Sequence, residues 1–177
     1  MEEYSYELKI PKERIAVLIG KKGEVKKEIE DATDTKLEID SKEGDVTIHG
    51  KDSLKIFDTK LIIQAIGRGF NPDVAMQLLK IDNTFELIDI SEYAKTKKAL
   101  IRLRGRIIGK GGRSRANLER LTDTSICIYG KTAGIIGRAE DVLTARKAVE
   151  SLLKGSPHSV VYKWLEKQHM KKIIGET

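Results

Sequence analysis

Residues 18–35, LIGKKGEVKKEIEDATDT, and residues 107–124, IIGKGGRSRANLERLTDT, are two versions of one segment. Laid with Ile19 on Ile108, they share Gly20 with Gly109, Lys21 with Lys110, Gly23 with Gly112 and Glu30 with Glu119. Thr33-Asp34-Thr35 falls on Thr122-Asp123-Thr124. The likeness runs on more loosely, LEIDSKEGDVTIHGKDS against ICIYGKTAGIIGRAED after a two-residue gap, then KLIIQAIGRGFNP against KAVESLLKGSPH. A repeat of this kind constrains the fold more than any single motif, because both copies must adopt the same local structure. In a chain of 177 residues it predicts two units of roughly 70 residues each instead of one domain.

Each copy reads β-α-α-β-β-α. In the first, Tyr6 to Ile10 alternates as a strand, Pro11 suits the first position of a helix, and Arg14 to Ile19 supplies that helix's apolar face. Gly20-Lys21-Lys22-Gly23 interrupts it, and Val25, Ile29 and Ala32 line a second helix. Leu37 and Ile39 alternate with charges, a strand follows from Asp45 to His49, and Leu54 to Ile66 form a long helix stopped near Gly67 to Gly69. The second copy predicts a strand near 84–90, helices at 97–108 and 113–121 around a loop at 109–112, strands at 125–129 and 133–136, and a helix at 138–153. A short helix from Asn71-Pro72-Asp73 to Leu79 lies between the copies, and a tail helix spans 157–172. The expected class is α+β, with each unit a three-stranded sheet covered by helices. The expected divisions are 1–70, a linker helix within 71–83, and 84–177 with its C-terminal helix.

Gly-rich loops carrying lysine usually cradle phosphate, because a chain without Cβ atoms lets an anion approach main-chain N–H groups. The net charge of +6 permits a polyanionic partner. From Lys95 to Leu118 there are nine Lys or Arg (Lys95, Lys97, Lys98, Arg102, Arg104, Arg106, Lys110, Arg113 and Arg115) and no Asp or Glu. From Lys12 to Glu30, by contrast, six bases mix with four acids, as on an ordinary solvated surface. The second copy is therefore the stronger candidate for binding a polyanion. Gly105 to Gly111 fails the P-loop pattern, with three residues between its glycines and no Ser or Thr after Lys110 to hold magnesium. It follows a helix-like segment, not a buried parallel strand. Ile108, Ile126 and Ile128, or Ile19, Val25 and Leu37 in copy one, are expected to form an apolar floor where unpaired bases rest while the strand main chain reads their edges. Cys127 then faces the other side.

The three histidines are scattered, no Ser-His-Asp, Cys-His or paired-carboxylate arrangement stands out, and no cofactor or metal site is expected. The failed P-loop match and the missing acid-base constellation argue against catalytic chemistry, and a single cysteine, an acidic N-terminus and no long apolar run point to a cytoplasmic protein with no membrane contact.

LIGKKG and IIGKGG, each preceded by aliphatics and followed by the same helix-strand-strand-helix spacing, resemble the GXXG signature of type I K-homology (KH) domains. AIGRGFNPDVAMQLL and GRIIGKGGRSRANLERLTDT narrow the resemblance to archaeal two-KH-domain proteins related to the eukaryotic ribosome-assembly factor called the partner of Nob. The resemblance covers residues 1–172. It implies two KH domains that grip single-stranded RNA near the 3′ end of small-subunit rRNA, in ribosome biogenesis and pre-rRNA processing. It implies a protein partner as well, the Nob-type endonuclease or another assembly or translation initiation factor. A chain acting mainly as a protein-interaction adaptor is the alternative. The RNA contacts implied are Gly109, Lys110, Gly111 and Gly112, with Arg104, Arg106, Arg113 and Arg115 flanking and Gly20, Lys21, Lys22 and Gly23 equivalent in copy one. One departure stands out. KH domains usually place an aliphatic residue three positions after the second glycine, where this chain has Lys26 and Arg115.

Overall fold

The computed structural model describes residues 2–175. The chain divides into two compact units, the first ending at Ile81 and the second beginning at Asp82. The first contains β1 (Tyr4–Lys9), α1 (Lys12–Ile19), α2 (Glu24–Thr33), β2 (Lys36–Asp40), β3 (Asp45–Gly50), α3 (Ser53–Gly67) and a short α4 (Pro72–Ala75). The second contains β4 (Asn83–Asp89), α5 (Lys97–Ile108), α6 (Arg113–Thr122), β5 (Ser125–Tyr129), β6 (Thr132–Arg138), α7 (Ala139–Leu153) and α8 (His158–Ile173). Each sheet is antiparallel with the last strand in the middle, β1-β3-β2 and β4-β6-β5.

The sequence dictates most element ends. Asp52 caps α3 by accepting the Leu54 N–H at 2.9 Å, and Thr96 caps α5 by accepting the Ala99 N–H at 3.1 Å. Pro11 stands one residue outside α1 and not at its first helical position; with ψ at 136° its carbonyl accepts the Arg14 N–H at 2.9 Å. The repeated Thr-Asp-Thr is a helix stop. Asp34 and Asp123 take left-handed φ values of 53° and 54°. The threonines on either side turn inward, Thr33 to Thr35 and Thr122 to Thr124, each pair 2.7 Å apart. Short polar side chains tolerate this conformation better than others do.

The first core is built on Leu18, Ile29, Ile48, Ile62, Ile63 and Ile66. The second centres on Ile107, Leu118, Ile126 and Ile135, with Val161 and Leu165 of α8 completing it. Lys172 also ties α8 to α7 through both oxygens of buried Asp141, at 2.8 and 2.9 Å. Between the repeats, α4 and a 3-10 turn at Met76–Leu79 pack on α3, burying Ala75 and Leu78. A second 3-10 turn, Ile90–Tyr93, inserts Ile90 into the second core and was not signalled by periodicity.

Candidate nucleic-acid interface

The two Gly-x-x-Gly loops follow the same path. Gly20 (φ 74°, ψ 175°), Lys22 (55°, 26°) and Gly23 (75°, 15°) match Gly109 (73°, 173°), Gly111 (60°, 23°) and Gly112 (78°, 12°). The glycines differ in purpose. A Cβ on Gly109 would lie 2.6 Å from the Ser114 Cβ, and one on Gly20 would lie 2.4 Å from Val25 Cγ2. The first glycine of each loop therefore closes the loop against the following helix. A Cβ on Gly23, Gly111 or Gly112 would meet nothing within 4 Å. This side of the loop is open main chain that a phosphate can approach.

The helices that follow add to this. Neither α2 nor α6 has a side-chain cap, because each N-cap is a glycine. The positive end of each helix dipole is thus left to an external anion, although the first helical N–H of each, at Glu24 and Arg113, is already donated to the Lys21 and Lys110 carbonyls. α2 spends part of that potential on its own Glu24, whereas α6 begins with Arg113 and has no acid in its first turn.

Lys110, Gly111, Arg113 and Arg115 are exposed, as are Lys21 and Lys22; Gly20, Gly23, Ile108, Gly109 and Gly112 are half-buried. Arg106 is not on the open rim. Its guanidinium donates to the Leu152 carbonyl at 2.9 Å and to that of Ser156, and its own carbonyl meets His158 Nε2 at 2.7 Å. It therefore fastens the end of α7 and the start of α8 to α5. Arg14 does the same in the first unit, holding the Ile66 and Phe70 carbonyls at 2.8 and 3.0 Å from one helical turn earlier relative to its loop. Arg104 is half-buried, and its Nε is enclosed with no hydrogen-bond partner among the described residues.

The expected apolar floor is also corrected. Ile126 is 2% exposed and lies within the core, Ile128 packs against the same core, and Leu37 is buried in the first unit. Ile126 is taken up by the core beneath α6 and cannot be offered to a base, while Ile128 is half-buried. Cys127, on the opposite face, is half-buried. The strand edge is occupied at Ile126. The Ile126 N–H donates to Glu119 Oε1 at 2.8 Å, and the Ile126 carbonyl accepts from Arg115 Nη1 at 3.3 Å. Glu119 was not among the expected site residues, although its identity with Glu30 in the repeat marked it. Ser114, 3% exposed beneath the loop with an unpartnered hydroxyl among the described residues, was also missed. Among the described residues no His, Cys, Asp or Glu cluster could hold a metal ion, and no helix is long and apolar enough to cross a membrane.

Comparison with known proteins agrees with this geometry. Residues 84–170 match the family model described as the eukaryotic-type KH domain (type I) of PNO1, second domain, and residues 5–65 match the KH domain model. The KH domain-containing protein MJ0443 of Methanocaldococcus jannaschii is 48% identical, over 93% of this chain and 74% of its own length. The crystal structure of the a/eIF2alpha-aDim2p-rRNA complex from Pyrococcus horikoshii matches with a TM-score of 0.90 and 44% identity, covering 96% of both chains. The pre-rRNA-processing protein pno1 of Aspergillus fumigatus is 34% identical over 59% of this chain and 43% of its own length, so the chain spans less than half of that relative.

Proposed function

Because the chain belongs to the family of two-KH-domain proteins that includes archaeal Dim2p and eukaryotic PNO1, we propose that it grips single-stranded RNA at the Gly109–Gly112 loop, in the 3′ region of small-subunit rRNA, as a pre-rRNA-processing factor without catalytic chemistry of its own. The observation that carries this reading is the pairing of open glycine main chain with an uncapped, acid-free helix start at α6. Lys110 and Arg113 supply charge to successive phosphates. The relative captured with rRNA and the pre-rRNA-processing relative supply the substrate class. The test is fluorescence anisotropy with a labelled single-stranded oligonucleotide from the 3′ end of small-subunit rRNA. Tight, salt-dependent binding that is lost in Lys110→Asp supports the reading; binding that is indifferent to Lys110 removes it.

A protein partner is the second part of the reading. Dim2p of the horikoshii complex is held with a/eIF2alpha as well as rRNA. The first unit offers a surface for such a partner. Leu54 and Phe57 stand exposed on α3, and Lys60 Nζ lies 4.7 Å from the Tyr6 ring centre and 6.0 Å from that of Phe57. An initiation-factor alpha subunit or a Nob-type endonuclease is the proposed occupant. Each, purified, is to be tested by size-exclusion co-elution against the wild type and Leu54→Glu/Phe57→Glu. Co-elution that survives those changes rules this surface out.

A further inference from the structure

β5 is an edge strand, so main-chain groups on its outer side are the ones an unpaired base would meet. In this chain those at Ile126 already have partners: the N–H is held by the Glu119 carboxylate at 2.8 Å and the carbonyl by the Arg115 guanidinium at 3.3 Å. The two side chains come from the same face of α6, four residues apart, and lie 3.9 Å from each other. Together they occupy the main-chain donor and acceptor with which a base edge would otherwise pair.

Opening this arrangement is unfavourable. A base that took the strand edge would replace a carboxylate–amide bond, and hydrogen bonds to an ionised group are roughly twice as strong as neutral ones. It would also leave that Glu119 oxygen with only its 3.9 Å ion pair to Arg115. The outward atoms of the pair remain available. The Glu119 side chain is 29% exposed and that of Arg115 45% exposed, so part of each remains accessible to a ligand. A carboxylate accepts from exocyclic amino or ring N–H groups, and an arginine fork donates to ring nitrogens and carbonyls.

We propose that Arg115 and Glu119, not the β5 main chain, read the base held beside the second loop. The inference rests on the RNA-binding reading above and deepens it by assigning sequence discrimination to two named side chains. The first unit supports the assignment by contrast. Glu30 occupies the place of Glu119, but Lys26 stands where Arg115 does, and Glu30 is shared between Lys26 at 3.9 Å and Lys36 at 3.7 Å. Lysine is a point charge without a planar fork, so that unit lacks the second half of the reader.

The test uses the full chain and a panel of single-stranded RNA hexamers in which each position carries all four bases in turn, with affinity measured by anisotropy across a salt series. The wild type should prefer one base at one position by about tenfold, the usual scale for a good side-chain–base pair. Arg115→Met and Glu119→Gln should each reduce that preference to about twofold and leave the weaker sequences bound nearly as before, and Arg115→Lys should not restore it. Glutamine can still accept the Ile126 N–H, so the fold is preserved, and thermal unfolding checks this. A preference that survives in both variants overturns the inference, as does a wild type indifferent at every position. A uniform loss across all sequences in Arg115→Met, with the salt slope lower by about one, makes Arg115 a phosphate contact and also overturns it. Hexamer binding unaffected by Lys110→Asp is a different result, since it removes the underlying RNA-binding reading.

Discussion

The two loops have nearly the same main-chain angles but different surroundings. At the third loop position the second unit has Gly111, for which φ 60° carries no penalty, and the first has Lys22 in the same left-handed region at φ 55°. Beneath the loop one has Ser114 and the other Val25. At the start of the next helix one has Arg113 and the other Glu24. A backbone path can thus be kept by packing alone, since the first glycine of each loop is pressed against its helix in both units. What differs is what each loop can attract. The first unit's loop has the same shape as the second but is followed by an acid, Glu24, in the first turn of its helix.

The largest effect expected is on that contrast. Lys110→Asp with Gly111→Asp should weaken RNA binding by about 100-fold, and Lys21→Asp with Lys22→Asp by no more than about fivefold. Equal losses in anisotropy would break the ranking of the two units. Gly109→Ala forces a Cβ into Ser114 and an unfavourable φ, so urea unfolding should show a loss of about 2–3 kcal/mol, as should Gly20→Ala. Gly112→Ala, with open space around it, should cost only about 1 kcal/mol. Arg106→Ala should lose about 1–3 kcal/mol of stability with the salt slope of RNA binding unchanged. Arg113→Ala should show the opposite, with stability kept and the slope lower by about one. If Arg106→Ala lowers the slope instead, its assignment as a fastener fails. The smallest effect is at the one loop position that differs in backbone cost. Lys22→Gly should stabilise the chain by about 1 kcal/mol, read as a shift in denaturation midpoint.

Several features were legible because they depend on local chemistry. Helix α5 lies where its apolar spacing put it, at Lys97–Ile108, and β5 at Ser125–Tyr129. The loops were recognisable from glycine and lysine alone. Arg106 was not. In sequence it belongs to an unbroken basic run, and only the return of α7 and α8 brings the Leu152 and Ser156 carbonyls to it. Ile126 and Ile128 were correctly placed on one face of a strand, but alternation does not say which face the helices cover.

By itself the sequence determined that two copies of one β-α-α-β-β-α unit would form, each with a glycine hairpin between helices, because hydrophobic period and glycine placement act over a few residues. The tertiary structure decided which cations remain free for a ligand and which hold carbonyls. It also decided that Arg115 and Glu119 occupy the outward main-chain groups of Ile126 on β5. Both depend on partners that are distant in the chain or on another element, and a one-dimensional pattern of charge carries no record of those distances.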